Sequence, residues 1–181
     1  MTGAAPAARV ARLAALLVVA ALAGCAPGIA GPTYPPEGVT PPPVGDATRV
    51  ALNQVVRALA DVGLQAGTAT TPYRPPEAAR LAAAPRMIVQ VTLPEDPQRG
   101  LLVLYELGTP EAATAAAEEQ AAYVATGPGR IQFPPAARFV LRVSGATVVF
   151  FTWLPGSAGD PRTGDIARAL ETIGTGVPVG S

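Results

Sequence analysis

The chain reads as an α+β domain: an antiparallel sheet of four or more strands with helices packed mainly on one face, built from two strand-strand-helix units preceded by a helix. Three observations predict it. Two pairs of β-rich runs sit close together, MIVQVTL with LLVLYEL and RFVLRV with ATVVFFTWL. Each pair is followed by a helical pattern that opens on a proline and closes on a glycine. An amphipathic stretch, DATRVALNQVVRALADV, precedes them both.

Taken in order, Asp46 is a suitable cap for a first helix reaching about Val62, where Gly63 ends it. Val55, Val56, Leu59 and Val62 gather on one of its sides. Leu64 to Tyr73 is rich in Gly and Thr and suits a short edge strand, and Pro76 to Ala83 a short proline-started helix. Met87–Leu93 and Leu101–Leu107 then form a hairpin across the polar loop 94–100. Thr109-Pro110-Glu111 supplies cap, first-turn proline and first-turn acid for a helix through Val124. Its alanine-rich interior permits close approach to a sheet, and Gly127 terminates it.

After a loop from Gly127 to Pro135, Arg138–Val143 and Ala146–Leu154 pair across Ser144-Gly145. Val148, Phe150, Thr152 and Leu154 point one way and Val149, Phe151 and Trp153 the other. Both sides being apolar, this strand is either central and covered twice or presents one side to a ligand. Asp160-Pro161 starts the last helix, with Ile166, Leu170 and Ile173 on one side and Gly174 closing it.

The N-terminus sets the address. Arg9 and Arg12 without any acid, followed by the apolar run Leu13 to Ala21, form the n- and h-regions of an export signal. Eleven helical residues, Leu13 to Ala23, cover only about half of a hydrocarbon core roughly 30 Å thick, too little for a permanent span. The run closes on Leu22-Ala23-Gly24-Cys25, and Cys25 is the only cysteine of the chain. These four residues resemble a bacterial lipobox. That resemblance implies cleavage before Cys25 and a thioether-linked diacylglycerol on its sulfur, in many bacteria with an amide-linked acyl chain as well. Ala21-Leu22-Ala23 also meets the A-x-A rule for ordinary cleavage. Each buried methylene contributes about 0.8 kcal/mol, so two or more chains give a stable anchor where one does not. Ala26 stands where an inner-membrane retention signal has aspartate, so the outer face of the cell membrane and, in a diderm bacterium, the outer membrane both remain open.

Four segments result: a signal at 1–24, a lipidated Cys25 and proline-rich tether at 25–45, one α+β domain at 46–176, and a tail at 177–181. Between Ala26 and Gly45 stand seven prolines. In polyproline II, at about 3.1 Å per residue, this stretch reaches roughly 60 Å. The element order carried by ALNQVVRALADVGLQ, LLVLYEL, TPEAATAAAEEQAAYVA, FVLRVSGATVVFF and DIARALETIG is similar to small bacterial envelope lipoproteins of unassigned function. No catalytic motif accompanies that similarity.

Composition narrows the chemistry. The chain has no histidine and no lysine, and losing the signal with Arg9 and Arg12 leaves 11 arginines against 13 carboxylates, a net charge of −2. This is no nucleic-acid footprint. The commonest general base and a major zinc ligand are missing, and lipidation consumes the one thiol. Asp160 and Asp165 lack EF-hand spacing, and Asp160 before proline suits a cap better than a calcium ligand. The neighbours Glu95-Asp96 and Glu118-Glu119 point apart rather than sharing a proton. Ser144, Ser157 and Ser181 have no histidine or lysine to activate them. Gly127-Pro128-Gly129-Arg130 follows a helix instead of opening one, which argues against phosphate binding.

Surfaces are what is left. Aromatic residues crowd the C-terminal half, where Trp153 and Phe151 with Arg138 and Arg142 make a candidate binding surface, core packing being the simpler account of the aromatics. The expected role is a non-catalytic binding or interaction module of the cell envelope. It needs no cofactor or metal beyond the lipid on Cys25, and its partner is an envelope protein or a small apolar ligand. The alternative is an envelope hydrolase whose carboxylates and arginines converge in the fold. A hinge-closing solute receptor fits less well, because it needs two lobes.

Overall fold

A computed structural model describes residues 44–69 and 71–180, so the signal, lipobox and most of the tether lie outside the described residues. The elements are α1 (Asp46–Asp61), β1 (Ala66–Thr68), α2 (Ala79–Ala83), β2 (Arg86–Val91), β3 (Leu101–Glu106), α3 (Pro110–Ala125), α4 (Gly127–Arg130), β4 (Arg138–Ser144), β5 (Thr147–Trp153), a 3-10 turn (Pro155–Ser157), α5 (Thr163–Leu170) and β6 (Thr175–Gly176). The strands form one antiparallel sheet in the order β1-β2-β3-β5-β4-β6. The α+β class and the sheet of four or more strands are as the sequence predicts.

Helix placement differs from expectation. Alternate strand residues enter two separate cores: Leu102, Leu104, Val149 and Phe151 pack with α1 and α5. Val103, Tyr105, Val148 and Phe150 pack with α2 and α3 on the opposite face. Helices therefore cover both faces, not mainly one. The physical reason is in β5 itself, since a strand apolar on both sides has to be desolvated twice. Four buried alanines, Ala113, Ala116, Ala117 and Ala121, let α3 settle closely onto its face of the sheet. The strand-strand-helix repeat is thus not a symmetry. A rotation exchanging antiparallel β3 and β5 runs along the sheet normal, and would leave both following helices on one face.

Helix starts also differ from the sequence reading. Gly45, not Asp46, is the N-cap of α1, and no side chain of the helix caps it. Glu106 reaches over from β3 instead, accepting from the Gly45 N–H at 2.5 Å and from the Thr48 hydroxyl at 3.0 Å. A Cβ on residue 45 would meet Glu106 Oε1 at 2.7 Å, so glycine makes this approach feasible. The last helix begins at Thr163 rather than beside Asp160. Asp160 is buried and organises the preceding turn, its Oδ1 accepting from Arg162 N–H at 2.9 Å and its Oδ2 from Glu95 N–H at 3.3 Å. Thr109 caps α3 as predicted, accepting from Ala112 N–H at 3.2 Å. Gly127, with φ +58°, ends α3 but also opens the four-residue turn α4 where a loop was expected.

The hairpin β4-β5 turns at Gly145-Ala146, one residue later than predicted, with Gly145 at φ +56°. Past β6, Val177 N–H donates to Leu141 C=O at 3.0 Å, and Val177 and Val179 pack on the second core. The fold therefore uses residues assigned to the tail. Both sheet edges are very short, which limits edge-to-edge pairing.

Candidate functional site

Cys25 and its neighbours Leu22, Ala23 and Gly24 lie outside the described residues. The other four predicted residues sit on one face of the sheet, since Arg138 pairs with Trp153, Val140 with Phe151, and Arg142 with Val149. Their surroundings separate them. Phe151 is 1% exposed and belongs to the core, so it is no part of a surface. Arg142 donates from Nε to Ile173 C=O at 2.7 Å and from Nη2 to Gly174 C=O at 3.0 Å, and fastens the end of α5 to β4. Trp153 is half-buried and stacks on Phe151 at 5.4 Å between ring centroids, while Arg138 is exposed.

Trp153 lines a cleft of about 330 Å³ at the end of the sheet where β3 begins and β5 ends. Leu101 and Thr152 line it from the sheet, and Tyr73 and Phe133 from flanking loops. The aromatic walls are braced from behind. Phe133 packs edge-on against Phe139 at 4.9 Å, and Phe139 stacks on buried Phe150 at 6.3 Å. At the rim, loop 94–100 is tied to the segment after β5, because Asp96 accepts from Gly159 N–H at 3.1 Å. Arg99 stands on this rim, half exposed, its Nε 3.7 Å from Asp96 Oδ2.

A second hollow of about 280 Å³ shares the strap Arg74-Pro75-Pro76 with the first and also touches Glu77, Tyr123 and Gln132. Glu77 fixes the strap. Its side chain is 1% exposed; Oε1 accepts from Arg86 Nη1 at 2.7 Å and from the Tyr105 hydroxyl at 2.5 Å, and Oε2 from Arg74 Nε at 3.1 Å. Gln120, buried in alanine-rich α3, holds the next turn: its Oε1 accepts from Ala78 N–H at 2.6 Å and its Nε2 donates to Pro76 C=O at 3.1 Å. Sequence reasoning missed both residues. The available signal was a tyrosine and a glutamine on otherwise apolar buried faces, each of which must find a partner.

Burial first, and the neighbouring Glu77 carboxylate second, push the Tyr105 phenol well above the ordinary tyrosine range. Unfolded, the same phenol ionises near pH 10. Because the folded value is the higher, this contribution to stability is whole below about pH 10 and fades as pH rises beyond it, by at most about 1.4 kcal/mol per unit. Urea unfolding measured across the alkaline range should show this loss, and Tyr105→Phe should flatten it. An unchanged slope in that variant would mean that another group is responsible.

Other candidate chemistry is accounted for locally. Ser144 donates to Gln54 Oε1 at 2.6 Å, and Glu119 pairs with Arg80 at 3.0 Å. Asp165 pairs with Arg168 at 2.9 Å. Gly127-Pro128-Gly129-Arg130 does form a helical turn, yet one of four residues, with Arg130 Nη1 donating to Pro134 C=O at 3.1 Å. Among the described residues no group of three or more Asp, Glu, Cys or His converges as for a metal, and no helix is long and apolar enough to cross a membrane. Comparison with protein-family models, curated proteins and solved structures finds no match to this chain.

Proposed function

We propose that the chain is a lipid-anchored module of the cell envelope that binds a partner or ligand outside the cytoplasm and performs no catalysis of its own. The observation that carries this reading is the placement of the only cysteine, Cys25, directly after Leu22-Ala23-Gly24 at the end of an uncharged apolar run. An anchor of two or three acyl chains holds the module on the outer face of the cell membrane or, in a diderm bacterium, on the outer membrane. The cleft beside Trp153 supports binding, having braced aromatic walls and a charged rim. Against the hydrolase reading, the one carboxylate among the residues lining the two hollows, Glu77, has both oxygens occupied by Arg74, Arg86 and Tyr105.

Replacing Cys25 tests the anchor. Cys25→Ser should move the protein from the membrane pellet to the soluble extracytoplasmic fraction and abolish incorporation of labelled fatty acid. A variant that stays in the pellet and still takes up label sinks the lipoprotein reading. Copurification of the solubilised protein, with mass spectrometry of what comes with it, tests the binding role.

A further inference from the structure

We infer that the Trp153 cleft binds a small soluble amphiphilic anion, a short apolar body ending in one carboxylate or phosphate. This deepens the binding-module reading and rests on it. Three observations select that class. At about 330 Å³, the cleft lies at the low end of ligand-site volumes of about 300–1,000 Å³, which suits a short chain or single ring rather than a whole phospholipid. Its walls are mainly apolar, from Tyr73, Phe133, Leu101, Trp153 and Leu154, so they bury hydrocarbon or a ring.

Charge supplies the second half of the specificity. The residues lining the cleft include two arginines, Arg74 and Arg99, and no carboxylate. Arg74 is partly committed, through its Nε to Glu77 and its Nη2 to Ala82 C=O at 3.2 Å. Arg99 is held loosely. Its 3.7 Å approach to Asp96 is the longest ion pair among the described residues, and Asp96 already accepts from Gly159 N–H. A half-exposed guanidinium above an apolar slot offers its two-pronged edge to an oxyanion, while the slot takes the body.

Position argues for a ligand from water. The cleft sits by Leu101, whereas the tether joins the domain at Gly45, bonded to Glu106 at the other end of β3. Five strand steps, about 17 Å, separate those ends. The cleft and the tether junction therefore lie at opposite ends of β3, which fits a dissolved anion that reaches the cleft without leaving a bilayer.

Trp153 is the only tryptophan of the chain, so its emission reports the cleft directly. The full chain in phosphatidylcholine nanodiscs is titrated with octanoate and, separately, with octanol. Octanoate should change Trp153 emission saturably and bind at least about tenfold more tightly than octanol. Arg99→Gln should erase that difference, while Arg168→Gln, on the exposed side of α5, should preserve it. Equal binding of acid and alcohol, a difference that survives Arg99→Gln, or no saturable change with either probe overturns the inference. If phosphatidylglycerol nanodiscs displace octanoate, the ligand is a bilayer lipid and the dissolved source is wrong. A protein partner that copurifies while octanoate fails would overturn the ligand class alone, leaving the binding-module reading intact.

Discussion

Glu77→Ala is expected to remove about 3–5 kcal/mol of stability, the range for stripping one partner from a buried ion pair. Single domains have only about 5–15 kcal/mol in total, so the loss amounts to about a fifth of it or more. Two features put the effect at the top of the range. Glu77 has 1% side-chain exposure, so water cannot replace it. Its loss leaves Arg86, 18% exposed, and Arg74 with only the Ala82 carbonyl to donate to, and takes away the partner of the buried Tyr105 hydroxyl. Glu77→Gln keeps the shape and one acceptor but turns an amide N–H₂ toward a guanidinium, and should cost less, about 1–3 kcal/mol. Arg74→Gln removes a half-exposed partner and should cost under about 1 kcal/mol. Urea unfolding of the three variants checks the order. A Glu77→Ala midpoint near that of the parent would mean that the strap and the sheet are not joined through this group.

How far such a hub could be read in advance depends on sequence distance. The hairpin β4-β5 was legible because its pattern is local: a glycine able to take φ +56° lies between two runs of β-formers. The cap on α3 was legible for the same reason, Thr109 and Ala112 being three residues apart. Glu77 meets Arg86 nine residues on and Tyr105 twenty-eight residues on, and only the folded sheet joins them. The cleft is harder still, drawing on the strap at 73–76, loop 94–100, the segment before β4 and the end of β5. Trp153 was the part of it visible beforehand, as an aromatic at the end of a strand. Arg142 could not be sorted from Arg138 by sequence, because its partners are carbonyls thirty-one and thirty-two residues away. The error over helix placement has a different source. β5 carried the information for two covered faces, but nearly uniform alanine hides which side of α3 is the contact face.

Gly174→Ala should be nearly as damaging as Glu77→Ala, and for a reason independent of charge. Residue 174 has φ +48°, where a Cβ costs about 1–2 kcal/mol in strain alone. Space adds to strain, because a Cβ there would lie 2.0 Å from the Val143 carbonyl oxygen and 2.8 Å from its carbon. Neither atom can retreat easily. Val143 belongs to β4, paired with β5 on one side and through Thr175 with β6 on the other. Relief has to come from lifting the 173–174 turn, which breaks the Arg142 bonds to Ile173 and Gly174 and draws Val177 and Val179 off the second core. Strain plus overpacking comes to roughly 2–5 kcal/mol. Gly145→Ala isolates the first part: its φ is +56°, but nothing lies within 4 Å of the added carbon, so about 1–2 kcal/mol is expected. Urea midpoints of the two variants, with amide exchange at Val177, separate the contributions. Equal losses would leave only backbone strain, whereas a larger loss at Gly174 with faster exchange at Val177 places the added cost in the contact between the last turn and β4.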